Sequence, residues 1–97
     1  MPKLSFAGQG VLKVNSAAAT VSALAAAAEE DLTISDSDAT LGDIVLVSPS
    51  AAGAETGFAI CAAWVSVAGT IKVRISNVSG STLTGGSRTF SYALLRS

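Results

Sequence analysis

From Gly42 to Ser97 the chain runs through four apolar, β-rich segments separated by Gly, Ser, Pro and Asn. Helical periodicity is almost absent from this half. Apolar side chains recur at every second residue or in short unbroken runs, and the residues between them are those that end ladders and make turns. This pattern restricts the C-terminal half to antiparallel strands. The run Phe58 to Val67 is apolar on both faces. Strict alternation puts Phe58, Ile60, Ala62 and Trp64 on one side and Ala59, Cys61, Ala63, Val65 and Val67 on the other. A chain of 97 residues buries only about 60–65% of its unfolded surface, so it is short of material to cover both sides. Burial against copies of itself, or against a larger surface, is expected.

The neighbouring segments fit the same class. Thr70 to Ser76 alternates most cleanly, with Ile71, Val73 and Ile75 inward and Lys72, Arg74 and Ser76 outward. Thr89 to Leu95 sets Phe90, Tyr92 and Leu94 on one side. Ile44 to Val47 is a continuous apolar run that reads as a central strand, ended by Ser48-Pro49-Ser50 because proline has no N–H for a ladder. Ala51 to Gly57 and Asn77 to Ser87 read as loops. Leu32 and Ile34 share a face of a short strand, and Asp36-Ser37-Asp38 reads as a solvated turn. The alanine-rich stretch Ala17 to Ala28 has helical propensity. However, Glu29, Glu30 and Asp31 would stand at the end where the helix dipole repels negative charge. A strand around Ala19 to Ser22 is favoured, with a short helix as the competitor. The fold class expected is all-β: a small antiparallel β-sandwich or barrel of about seven strands. An extended N-terminal arm is expected over residues 1–16 and the β-sandwich domain over residues 17–97.

Composition narrows the function. Charged residues make up 13% of the chain against 49% apolar, where about 25% charged is ordinary for a soluble domain. This also favours assembly. A net charge of −1 provides no electrostatic footprint for nucleic acid or an anionic membrane. All seven acids lie between Glu29 and Glu55, and all six bases (Lys3, Lys13, Lys72, Arg74, Arg88 and Arg96) lie outside that window. Two readings stay open: oppositely charged strands that pair within the sheets, or a bipolar surface that registers one subunit against the next. MPKLSF is followed by Ala, Gly and Gln, so no secretory signal is expected. The ten-residue run Phe58 to Val67 is too short for a membrane-spanning helix.

Candidate chemistry is sparse. The chain has no histidine, which excludes Ser-His and Cys-His nucleophilic pairs and histidine metal sites. The single cysteine, Cys61, cannot form an intrachain disulfide and is expected to pack as a small hydrophobe. Asp36 and Asp38 are the nearest thing to an acid pair, and a calcium site with Asp43 would need more oxygens than they offer. Asn77-Val78-Ser79 fits a glycosylation sequon at a strand end. Trp64 could act as a sugar-stacking platform but is expected in the core. No enzyme activity, catalytic residue, cofactor or metal is expected.

The order GDIVLVSPSAAG, AAWVSVAGTIKVRISNVSGSTL, RTFSYALLR resembles a pattern in small structural proteins of tailed-bacteriophage virions. The positions that carry it are Gly42, Asp43, Pro49, Val65, Ser66, Gly69, Thr70, Val73, Arg74, Asn77, Val78, Phe90 and Tyr92. They are framework positions of strands and turns, confined to the C-terminal half. The resemblance implies a capsid decoration (cement) protein on the capsid exterior of the virion, made in the host bacterial cytoplasm. It implies a β-rich homotrimer that binds the major capsid protein and stabilises the assembled shell. The alternative it leaves is a receptor- or carbohydrate-binding globular domain of a head or tail fibre. On this reading the subunit core and partner contacts come from Phe58, Ile60, Trp64, Phe90, Tyr92 and Leu94. Leu4, Phe6, Val11 and Leu12 of the arm lie on the major capsid protein.

Overall fold

The computed structural model describes residues 5–6, 9–49 and 57–96, with side chains described from Lys13 onward. The described residues form strands and turns without a helix. The strands are β1 (Ser5–Phe6), β2 (Gln9–Val21), β3 (Glu29–Ser35), β4 (Ile44–Pro49), β5 (Phe58–Val67), β6 (Thr70–Asn77) and β7 (Gly86–Arg96). They make two antiparallel sheets, one in the order β1-β2-β7-β4 and the other β3-β6-β5. Between the sheets β2 meets β3 and β4 meets β5. The result is a small β-sandwich.

The two cleanest alternators take the inner places. β6 lies between β3 and β5, and β7 between β2 and β4. Ile71, Val73 and Ile75 from β6 and Phe90, Tyr92 and Leu94 from β7 are buried in one cluster, which also takes in Val21, Leu32, Ile34, Val45 and Val65. Burying a side chain the size of Leu, Ile or Phe contributes about 1.5–3 kcal/mol. The two central strands therefore carry much of the stabilisation, and the flanking strands complete the cover.

β2 crosses the expected boundary at residue 16 without a break and pairs with β7 from Gly10↔Arg96 to Val21↔Gly86, interrupted by one irregularity between Val11 and Lys13. Residues 9–16 therefore belong to a sheet. The alanine-rich stretch is extended as far as Val21. A bridge between Leu24 and Leu83 follows, then a turn in which Ala27 adopts a left-handed φ of 65°. No helix forms there, and the acids Glu29 to Asp31 open β3. The expected loop at residues 51–56 lies outside the described residues.

Two expectations about the apolar strands need correction. β4 is an edge strand, not a central one, and its outward residues Ile44 and Leu46 are 55% and 56% exposed. Its unbroken apolar run reflects exposure on one face rather than burial on both. β5 is also an edge strand, and it does not alternate strictly. Ile60 pairs with Ile75 and Ala62 with Arg74, so Cys61 is an extra residue in a β-bulge. Phe58 and Ile60 pack against the core before the bulge, and Ala63 does so after it, beside the buried Val65. Ala62 and Cys61 are exposed, and Trp64 is half-buried outside the core cluster. A second irregularity falls between Val65 and Val67, just before the Ala68-Gly69 turn, where Gly69 holds a φ of 84°.

Candidate functional site

Three surfaces bring the chemically distinctive residues together. The first is a polar clasp around the turn between β3 and β4. Asp36 lies at the end of β3, and its side chain is only 1% exposed. Its carboxylate accepts hydrogen bonds from the Tyr92 hydroxyl at 2.5 Å, the Lys13 ammonium at 3.0 Å and the Asp38 backbone N–H at 2.9 Å. Burial alone would push the Asp36 carboxyl up, but the three donors together hold it below the usual carboxylate range. Burial, reinforced by the adjacent carboxylate, raises the Tyr92 hydroxyl. Beside it the Arg96 guanidinium grips Asp43 through Nε at 3.0 Å and Nη2 at 3.2 Å, and also donates to the Thr40 hydroxyl at 2.8 Å. The Arg96 bonds hold Asp43 below the usual carboxylate range. The clasp ties β2 and β7 of one sheet to the turn that leaves the other. Asp36 is therefore buried and structural, contrary to the solvated turn expected from sequence.

The second surface is the outer face of the three-stranded sheet. Asp31 and Arg74 stand opposite each other in register and form a two-pronged ion pair, with Nε at 2.8 Å and Nη2 at 3.2 Å. In the next row Lys72 donates to the Thr33 hydroxyl at 2.7 Å. The Arg74 guanidinium also sits 5.1 Å from the centre of the Trp64 ring. Trp64 is thus a half-exposed part of a charged face and not a core residue. Counting the clasp, opposite charges segregated in sequence pair within the chain at Lys13–Asp36, Arg74–Asp31 and Arg96–Asp43. Of these, only Arg74–Asp31 joins strands paired in one sheet; the other two tie strands to the turn after β3.

The third surface is the outer face of the four-stranded sheet. Ala93 pairs with Val14 on one side and Leu46 on the other, so these three form one row across β2, β7 and β4. Leu95 and Ile44 lie in the adjoining row on one side, and Ser16, Ser91 and Ser48 in the adjoining row on the other. Val14 is 68% exposed. A shallow depression of about 290 Å³ opens among Val14, Leu46, Ser48, Ser91 and Ala93, reaching down to Val47 and Tyr92. Among the described residues, no outward position of β2, β7 or β4 on this face is Asp, Glu, Lys, Arg or His.

The predicted contact residues separate. Phe90, Tyr92 and Leu94 are buried in the core, with exposures of 0%, 3% and 0%, so they do not present a surface to a partner. Phe58 meets Phe90 edge-to-face at 6.3 Å and, like Ile60, packs on the core from a half-buried position. Trp64 is directed to the charged face. Leu4 lies outside the described residues, as do the side chains of Phe6, Val11 and Leu12. Cys61, expected to pack inside, is exposed at the bulge. The sequon asparagine is a buried structural residue. Its Nδ2 donates to the carbonyls of Leu24 at 2.9 Å and Ser81 at 2.6 Å, and its Oδ1 accepts from the Ser79 N–H and hydroxyl. Val14, Ile44, Leu46, Ala93 and Leu95 were not singled out by sequence. The available signal was the unbroken apolar run of β4, which suits a strand with both faces covered.

Among the described residues no group of three or more acidic or cysteine side chains is placed to hold a metal ion. No helix in them is long and apolar enough to cross a membrane. Comparison with family models, curated proteins and solved structures gives no match to this chain.

Proposed function

We propose that this chain is a capsid decoration protein of a tailed bacteriophage, binding the assembled shell as a homotrimer and cementing it. The single observation that carries the reading is the uncharged outer face of the four-stranded sheet, with Val14, Ile44 and Leu46 exposed in adjoining rows. A lone subunit leaves this apolar surface in water, which is the mark of an interaction surface. The virion-protein pattern in the C-terminal half supplies the class of partner, the major capsid protein. The mechanism needs no reaction. A ligand that binds the closed shell but not its separated subunits stabilises the shell by mass action, by about 2.7 kcal/mol per site at a free concentration one hundred times Kd.

The test is co-sedimentation of purified protein with intact shells, followed by calorimetry of the shells with and without it. Saturable binding and a raised shell melting temperature are expected. Absence of binding to any shell of the phage that encodes the protein removes the reading. The fibre-domain alternative is favoured by one observation, the outward position of Trp64 beside Arg74. A glycan array in which binding is present and is lost on Trp64→Ala would select that alternative.

A further inference from the structure

The ion pairs among the described residues are not chemically alike. Asp31 and Asp43 meet guanidinium groups, those of Arg74 and Arg96, which hold their protons in proteins. Asp36 meets an amine, that of Lys13. Lys72, the other lysine whose side chain is described, donates to the Thr33 hydroxyl instead. A lysine amine becomes a nucleophile once it gives up its proton. Lys13 alone among the described lysines is aimed at a carboxyl that burial has withdrawn from water.

The groups around that pair complete a reaction centre. Lys13 Nζ lies 3.0 Å from Oδ1 of Asp36 and 3.1 Å from Oδ2 of Asp38, so one amine stands between two carboxylates. The second Asp36 oxygen, Oδ2, accepts from the Tyr92 hydroxyl, and Oδ1 also accepts from the Asp38 N–H. The carboxyl carbon thus has a nucleophile beside one oxygen and a fixed donor on the other. The Asp36 side chain is 1% exposed, whereas that of Asp38 is 58% exposed and in touch with water.

We propose that Lys13 and Asp36 condense slowly, after folding, into an intramolecular isopeptide bond, with Asp38 moving the protons and Tyr92 steadying the oxygen that stays. The chain folds with the pair ionised, and the clasp as described is that state. Reaction passes through the minor form in which one ammonium proton has crossed to Asp36 Oδ1. That transfer leaves the net charge unchanged, and burial narrows its cost because ions lose more solvation than neutral groups. The Nζ lone pair then adds to the Asp36 carboxyl carbon, and Oδ2 takes the negative charge facing the Tyr92 O–H. Asp38 accepts a proton from the nitrogen and returns it to Oδ1. The C–Oδ1 bond breaks, water leaves, Oδ2 remains as the amide carbonyl and Asp38 is again a carboxylate. No oxidant, reductant or cofactor enters. Oriented groups of this kind react with effective molarities of about 10⁵–10⁸ M, which favours a condensation that separate molecules in water do not complete. The bond closes a loop between positions 23 apart and joins β2 to the end of β3, in the other sheet. It supplies a covalent tie to a chain whose single cysteine allows no intrachain disulfide. The proposal is independent of the decoration reading.

The experiment is intact-mass spectrometry of the full chain, denatured for measurement, when freshly purified and over weeks of incubation at neutral pH below its melting temperature. It uses wild type, Lys13→Arg and Asp38→Asn, with circular dichroism melts to establish that the variants are folded. Wild type is expected to accumulate a form lighter by one water. Cleavage after Glu29 and Glu30 separates the segments carrying Lys13 and Asp36 in an open chain and leaves them joined in the condensed one. Lys13→Arg keeps a cation beside Asp36 and should stay at the mass of its sequence. Asp38→Asn should condense about tenfold more slowly or less, as expected on removing a proton-transfer group. A wild type that keeps its full mass throughout overturns the proposal. So does a loss of water that persists in Lys13→Arg or leaves the two segments separable, since that marks a cyclised aspartate instead. Asp38→Asn that condenses at the wild-type rate overturns the role given to Asp38. Each outcome is read without shells, so none of them bears on the decoration reading.

Discussion

Removing the Tyr92 hydroxyl tests the clasp most directly, because Tyr92→Phe keeps the ring in the core and deletes one donor. That hydroxyl lies 2.5 Å from a carboxylate whose side chain is 1% exposed. No water readily takes its place. A hydrogen bond to a charged group is worth about 1.5–3 kcal/mol, and with a urea slope of about 1 kcal/mol per molar for a small domain the midpoint should fall by roughly 1.5–3 M. Asp36→Asn should cost at least as much, since it removes the charge that Lys13 and the Asp38 N–H also address. The double variant should be less destabilised than the sum of the singles, because both delete the same contact. Urea unfolding followed by circular dichroism at fixed protein concentration reads all four chains. Acid supplies a second axis. The Asp36 carboxyl titrates below its ordinary value in the folded chain, so its contribution is present above the unfolded pKa of about 3.9 and is lost as pH falls from there through the lowered folded value. Asp31 and Asp43, held down by Arg74 and Arg96, add to the same acid slope. Asp36→Asn should flatten its share of that slope. A Tyr92→Phe protein within about 0.5 kcal/mol of wild type at neutral pH, or strictly additive singles, would refute the reasoning.

Gly85 offers another test. A Cβ there would lie 2.7 Å from both the Ala23 nitrogen and the Val21 oxygen, backbone atoms that cannot swing away. Gly85→Ala should therefore destabilise by about 1–3 kcal/mol in a thermal melt. Asn77→Asp keeps the shape but turns the Leu24 and Ser81 carbonyls toward an acceptor; a loss of about 2 kcal/mol or more is expected at neutral pH, and an unchanged melting temperature counts against the buried role. Cys61 is exposed, so a thiol reagent should modify the native protein without prior unfolding. Labelling that appears only in denaturant would contradict the bulge.

Much of the fold was legible because local pattern and tertiary place agree. Thr70 to Asn77 alternates in sequence and in burial, and the Phe90, Tyr92, Leu94 set points inward as spaced. The departures come from information that is not local. Nothing in Phe58 to Val67 marks Cys61 as the residue that loops out; that depends on its register with β6. Edge and centre are likewise set by strand order, so Ile44 to Val47 alone does not reveal that its outer residues meet solvent. The turn at Asp36-Ser37-Asp38 was recognisable from its side chains. The burial of Asp36 was not, because it depends on Tyr92, 56 residues further along, and Lys13, 23 residues before. The candidate interaction face was hidden for the same reason: Val14, Leu46 and Ala93 become neighbours only once β7 lies between β2 and β4.

The bulge at Cys61 has a consequence for the chain's history. With that residue left out of the count, Phe58, Ile60, Ala63 and Val65 fall into unbroken inside–outside rhythm. A kindred chain one residue shorter at that point would keep the rest of the strand in place, and the gap in an alignment would fall there. Evolution could gain or discard a thiol at this position without retuning the interior, whereas a deletion between Phe58 and Ile60 would turn Phe58 inside out.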